Sequence, residues 1–64
     1  MNLNQYLDKN VFISSINGKT FTGYVDDYYY PDENESGKES IVILTKDKKY
    51  IEFTEEDITD IKII

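Results

Sequence analysis

The stretch "VFISSINGKTFTGYV", residues 11–25, limits the fold more than any other part of the chain. β-Branched and aromatic residues alternate with polar ones on both sides of Asn17-Gly18, and such a run broken by Asn-Gly reads as a β-hairpin. Val11 and Ile13 fall on one face of the first strand. On the returning strand Phe21, Gly23 and Val25 share a face, with Thr20, Thr22 and Tyr24 on the other. A glycine inside a strand weakens it unless a sharp bend or a close backbone approach requires one. Gly23 therefore predicts a strongly curved sheet.

The remaining segments fit around that hairpin. Leu3, Tyr6 and Leu7 have helical i, i+3, i+4 spacing, which predicts a short helix over about residues 2–9, with Asn2 or Asn4 as its cap. Pro31 ends the second strand or marks a bulge, and residues 31–39 form an enlarged acidic loop. "SIVILT" (40–45) is an almost continuous apolar strand, of the kind found buried on both faces or centrally placed. "KDKK" is a turn and "YIEF" a fourth strand. "TEED" predicts a single helical turn capped by Thr54, with Asp57 at its third position. "ITDIKII" closes the chain as a fifth strand that offers Ile58, Ile61 and Ile63 to a core. A sheet of this kind is at risk if both edges stay bare. The economical expectation is one mainly β domain, 1–64, in which a short N-terminal helix precedes a strongly bent five-stranded antiparallel barrel of Sm/SH3-like type.

Composition narrows the chemistry. With 64 residues the core is thin, and without cysteine no disulfide or thiolate metal site can reinforce it. A closed sheet, association with further copies, or both must supply the missing stability. No histidine is present, which removes imidazole as metal ligand, general base or neutral-pH switch. The net charge is −6 and every basic side chain is a lysine. That balance disfavours nucleic acid, whose affinity rests on phosphate neutralisation, and accommodates a basic protein more readily. The N-terminal residues lack a signal-peptide pattern and no apolar run reaches membrane-spanning length, so the default expectation is a cytoplasmic protein without membrane contact.

In its helix, its "VFISSINGKTFTGYV" hairpin and its closing "YIEF…DITDIKII", the chain resembles the Sm-like superfamily, and its bacterial Hfq branch in particular. The resemblance spans roughly residues 3–64 apart from the loop at 31–39. It implies an open five-stranded barrel, rings of copies joined by pairing of a fourth strand with a neighbour's fifth, and binding of single-stranded RNA. The family's RNA-site residues are not matched. Its aspartate beyond the strand glycine corresponds to Tyr29. The basic pair before the last strand corresponds to Glu55 and Glu56, whose charge repels phosphate. The Arg-Gly turn of eukaryotic members is absent. The resemblance thus implies the scaffold without the RNA pocket.

Four groups of residues are candidates for function. The first is Tyr28, Tyr29 and Tyr30. Successive strand residues point to opposite faces, so the three cannot form one platform without a bulge. Tyr28 is the one expected to turn into the core, leaving Tyr29 and Tyr30 as partner contacts, since tyrosines anchor protein interfaces. The second is "DENESG", which places oxygen donors at Asp32, Asn34 and Ser36 ahead of Gly37, as a calcium loop does. The glutamate such a loop requires at its end is replaced by Ile43, so this is a weak metal candidate and otherwise a solvated connection. The third is the carboxylate group Glu52, Glu55, Glu56, Asp57 and Asp60, read as an acidic face rather than an acid–base pair. The fourth is the Ile-rich end, where Ile61, Ile63 and Ile64 either close the core or form an edge for another subunit.

These features favour a non-enzymatic, cofactor-free protein-interaction module that associates with itself. Two alternatives stay open. One is a divergent single-stranded RNA binder that stacks bases on tyrosine. The other is an acidic inhibitor or mimic that occupies a basic protein surface.

Overall fold

A computed structural model describes residues 1–64. Five antiparallel strands form a single sheet: β1 (Asn10–Ser15), β2 (Thr20–Tyr29), β3 (Ser40–Leu44), β4 (Tyr50–Thr54) and β5 (Ile58–Ile63). Their order in space is β4-β3-β2-β1-β5. β2 is long enough to pair with two partners in turn. Its first half faces β1, with Val11 opposite Gly23, and its second half faces β3, with Tyr28 opposite Ile41. The sheet stays open, because β4 and β5 are its two edges and do not pair with each other. The expectation thus holds at the level of five antiparallel strands in one sheet and not of a closed barrel.

The alternation read from the sequence sets the core. Val11, Ile13, Val25, Ile41, Ile43, Phe53, Ile58 and Leu3 are the buried apolar residues, with Phe21, Tyr28, Ile51 and Ile61 packed against them. Phe21 of β2 and Phe53 of β4 meet edge to face, with centroids 5.1 Å apart, a favoured geometry for aromatic rings. This contact draws β4 over the hollow of the bent sheet.

The predicted N-terminal helix contracts to one 3₁₀ turn, Leu3–Tyr6. With three residues per turn, Leu3 and Tyr6 share a face while Leu7 falls outside it. Leu3 is buried and Tyr6 half-buried, whereas Leu7 is exposed. Leu7 has already left helical geometry at ψ 134°, and Asp8 follows at φ 65°. The cause lies in the sheet. The Asp8 N–H donates to the Val25 carbonyl (3.0 Å) and the Val25 N–H to the Lys9 carbonyl (2.9 Å), so β2 takes the backbone that a longer helix would need. Neither asparagine caps the turn as expected: Asn2 precedes it without a side-chain cap bond and Asn4 lies inside it.

Both hairpins use one design. At Asn17-Gly18 the Gly18 N–H donates to the Ser15 carbonyl, and Gly18 takes φ 83°. At the second, Lys48 donates to the Thr45 carbonyl and adopts φ 68° without the freedom of glycine. Each loop is therefore a turn followed by one left-handed residue rather than a two-residue connection. No helix is long and apolar enough to cross a membrane.

Candidate interaction surfaces

A shift in register between Val25 and Asp27 decides what the tyrosine run can do. One extra residue, Asp26, enters β2 as a bulge and re-aims everything after it. Tyr28 then pairs with Ile41 and faces the core, as expected, while Tyr29 pairs with Ser40 on the outer face. Tyr30 returns to the side of Tyr28, and the two rings meet edge to face at 5.2 Å. Tyr29 is half-buried and Tyr30 is 59% exposed. The two predicted contact tyrosines thus stand on opposite sides of the strand and do not make one surface.

Tyr28 belongs to a buried polar clasp. Its hydroxyl donates to Glu39 Oε1 at 2.9 Å, and the Leu3 N–H donates to the same oxygen at 3.0 Å. Glu39 is only 6% exposed. Its own carbonyl accepts the Glu55 N–H at 3.1 Å. One residue therefore ties the N-terminal turn, the end of β2 and the entry to β5 together. Burial, the hydrogen bond to Glu39 and the neighbouring negative charge push the Tyr28 phenol up to about 12. In an unfolded chain it would ionise at about 10. The unfolded state then loses its proton first, so stability holds below about pH 10 and falls as pH rises through that window. The urea midpoint is expected to drop between about pH 10 and about pH 12, and less so in Tyr28→Phe, which lacks the ionising group. Equal drops in both chains would show that the phenol is not perturbed.

The loop at 31–39 spends its donors on itself. A 3₁₀ turn, Pro31–Glu33, begins it, and Glu33 Oε1 accepts the Tyr30 N–H at 2.7 Å. The Asn34 amide donates to the Lys38 carbonyl and to Ser40 Oγ, and Ser36 Oγ accepts the Lys38 N–H. Asn34 and Ser36 thus organise the connection, with Asp32 exposed beside them. No three carboxylates converge on a point anywhere in the molecule.

The carboxylates at the β4–β5 junction are separated by role. Asp57 Oδ2 accepts the Thr54 N–H at 2.9 Å and its hydroxyl at 3.1 Å, closing the turn Glu55–Asp57 as the sequence predicts. Glu55 lies 3.6 Å from the Met1 amino group and Glu56 lies 3.9 Å from Lys38 Nζ. Asp60 pairs with Lys62 at 3.8 Å. Exposed pairs of this kind add little stability. They do show that several acids are already partnered within the chain, whereas Asp26, Asp27 and Glu52 have no basic partner within ion-pair distance.

The isoleucine-rich end divides as well. Ile61 pairs with Ile13 and is half-buried, while Ile63 pairs with Val11, on the core side, yet is 55% exposed. Ile64 is 66% exposed although its N–H is bound to the Asn10 carbonyl. The expectation that Ile63 fills the core is met in direction and not in burial, because the sheet ends there with nothing above it.

One arrangement was not read from the sequence. The register places Tyr24 opposite Leu44 and Leu44 opposite Tyr50, a row running across three strands on the outer face. The next row on that face is Asp27, Val42 and Glu52. Alternation within each strand hints at this face, but only the pairing brings the rows together.

No family model matches the chain, and no curated protein or solved structure does either.

Proposed function

We propose that the chain is a non-enzymatic protein-interaction module on an Sm-like scaffold that associates with copies of itself. The observation that carries this reading is the pair of unpaired edges, β4 at one side of the sheet and the isoleucine-rich β5 at the other. Unpaired edges are templates for another strand. Side chains select how they would meet. Antiparallel pairing of β4 with a neighbour's β5, with Glu52 opposite Lys62, sets Ile51 against Ile63 and Phe53 against Ile61 on the core side. It also sets opposite charges against each other on the outer side. A slip of one residue turns the isoleucines outward, and a slip of two sets Glu52 against Asp60. A small protein gains stability by mass action from such pairing, which answers the thin core.

Glu55 and Glu56, at positions where the Sm-like family keeps its basic pair, weigh against RNA as the ligand of this scaffold.

Sedimentation velocity at micromolar concentration tests the reading. The wild-type chain is expected to run as an assembly. Ile63→Lys is expected to run as a folded monomer, since the side chain is already more than half exposed and its loss leaves the protomer intact. Glu52→Lys is expected to weaken assembly, and adding Lys62→Glu to restore it. A wild-type chain that stays monomeric removes the self-association, and a restored assembly missing from the double variant removes this register.

A further inference from the structure

β3 is apolar on both faces, yet only one of them is covered. Ile41 and Ile43 are buried in the core, while Val42 and Leu44 point outward and stay partly open to solvent. The rows on that face extend the apolar area: Tyr24 and Tyr50 flank Leu44, and Tyr50 is 65% exposed. Nothing in the chain lies over it, since the N-terminal turn packs at β2 and β3 through core-side Leu3. Scattered apolar residues need no explanation, but a contiguous patch with aromatic corners marks a contact surface.

The middle of the patch is acidic, whereas the turn beyond Leu44 and Tyr50 carries Lys46, Lys48 and Lys49. Asp27 and Glu52 flank Val42 directly across the strands, roughly 10 Å apart across two strand spacings. Neither has a lysine within ion-pair distance. Glu52 Oε2 accepts the Ser40 hydroxyl at 2.8 Å, which fixes the carboxylate and leaves its other oxygen free. At the upper corner the Tyr24 hydroxyl donates to Asp8 at 2.9 Å, so another acid is held at the rim. Hydrogen bonding to Asp8 and the charges of Asp8 and Asp26 raise the Tyr24 phenol, and hydrogen bonding to Asp27 does the same for Tyr29.

We infer that this outer face of β2, β3 and β4 docks a basic segment of another protein, with lysine or arginine alternating with aliphatic residues. The aliphatic stems and side chains lie on Val42 and Leu44, as long basic side chains do on apolar surface. The cationic heads reach Asp27 and Glu52, and Tyr24 and Tyr50 supply cation–π contacts at the ends. A neutral peptide would leave the carboxylates unmatched, and an anionic one would be repelled. The inference rests on the reading of the chain as an interaction module; it shares Glu52 with the proposed β4–β5 contact, while Tyr24, Asp27, Val42 and Leu44 lie on inner strands that the contact does not use.

The test is titration of the full chain with a fluorescein-labelled peptide of alternating arginine and valine, at low and at physiological salt. Saturable binding is expected, weaker at the higher salt. Leu44→Thr with Tyr50→Ser is expected to weaken it by about tenfold, and Glu52→Gln by a smaller factor of about three. Tyr50→Ser alone is the conservative check, since so exposed a side chain can be removed without unfolding the sheet. Glu35→Gln, an acid in the distant loop, is expected to change nothing. Amide shifts on binding should centre on Tyr24, Val42 and Leu44. Loss of affinity equal in Glu35→Gln would reduce the effect to bulk charge and overturn the site. Absence of saturation, amide shifts confined to the edges of β4 and β5, or tighter binding of a single-stranded oligonucleotide at the same face would overturn it too. A chain that sediments as a monomer but takes the peptide at Leu44 overturns only the self-association.

Discussion

Replacing Gly23 with alanine is expected to destabilise the chain by about 2–4 kcal/mol, a large share of what a domain of this size has. The reason is one contact. Gly23 sits opposite Val11, where β2 leaves β1 and turns toward β3. A Cβ there would stand 2.8 Å from the Leu44 carbonyl oxygen and 3.1 Å from Ile43 Cδ1. The oxygen belongs to the backbone of a paired strand, so it cannot swing aside as a flexible side chain would. Relief requires β3 to move away from β2, which opens the ladder and loosens Ile43, a buried core residue. Thermal and urea unfolding followed by circular dichroism give the measure. Thr22→Ala, an exposed neighbour, is expected to stay within about 0.5 kcal/mol and serves as the local comparison. A loss below about 1 kcal/mol for the glycine would mean that β2 and β3 do not approach as closely as described.

Gly23 also marks the limit of what one sequence discloses. That a strand glycine signals a bend was legible, as was the inward set Val11, Ile13, Phe21 and Val25, because period-two alternation is a local property. The turns at Gly18 and Lys48 and the Thr54–Asp57 closure were legible for the same reason. The N-terminal segment was misread because Leu3 and Tyr6 fit a 3₁₀ turn as well as an α-helix. What decided between them was Val25, far along the chain on β2, which recruits Asp8 and Lys9 into the sheet. "SIVIL" reads as doubly buried, but whether an outer face is covered depends on what the rest of the chain supplies, and here Val42 and Leu44 receive no cover. The row Tyr24–Leu44–Tyr50 joins residues from three strands across a long loop. Its assembly depends on the Asp26 bulge, which shifts the register by one, and no local pattern announces that bulge. The role of Glu39 has no local signal, since an acid in a polar loop carries no sign of being buried.

That hidden carboxyl yields the second large expected effect. Glu39→Leu should fill similar space while removing the only acceptor shared by the Leu3 N–H and the Tyr28 hydroxyl. The Leu3 N–H lies where water has little access and the Tyr28 hydroxyl is partly buried, and a buried polar group left without a partner costs about 1–3 kcal/mol. With one buried donor and one partly open to solvent, a fall of about 1–4 kcal/mol is expected, offset in part by the better burial of leucine. Glu39→Gln keeps an acceptor at the same place and should lose only about 1 kcal/mol, so the order of the two variants separates lost hydrogen bonds from lost charge. The same substitution has a spectroscopic signature. Without the carboxyl, the Tyr28 phenol loses two of the influences that raise it, and its titration should move down from about 12 toward the ordinary value, while burial and the negative charges of Tyr30 and Glu55 still hold it above. The alkaline loss of stability should still begin near pH 10, where the unfolded chain ionises, but end at lower pH and be smaller, since the gap between folded and unfolded ionisation has narrowed. The N-terminal turn should report it as well: with its anchor gone, the Leu3 amide is expected to exchange with solvent far faster than the amides of β1 and β2. A Glu39→Leu chain as stable as wild type, with Tyr28 titrating unchanged and the Leu3 amide still protected, would show that the N-terminal turn is held by the burial of Leu3 alone and that the clasp contributes nothing.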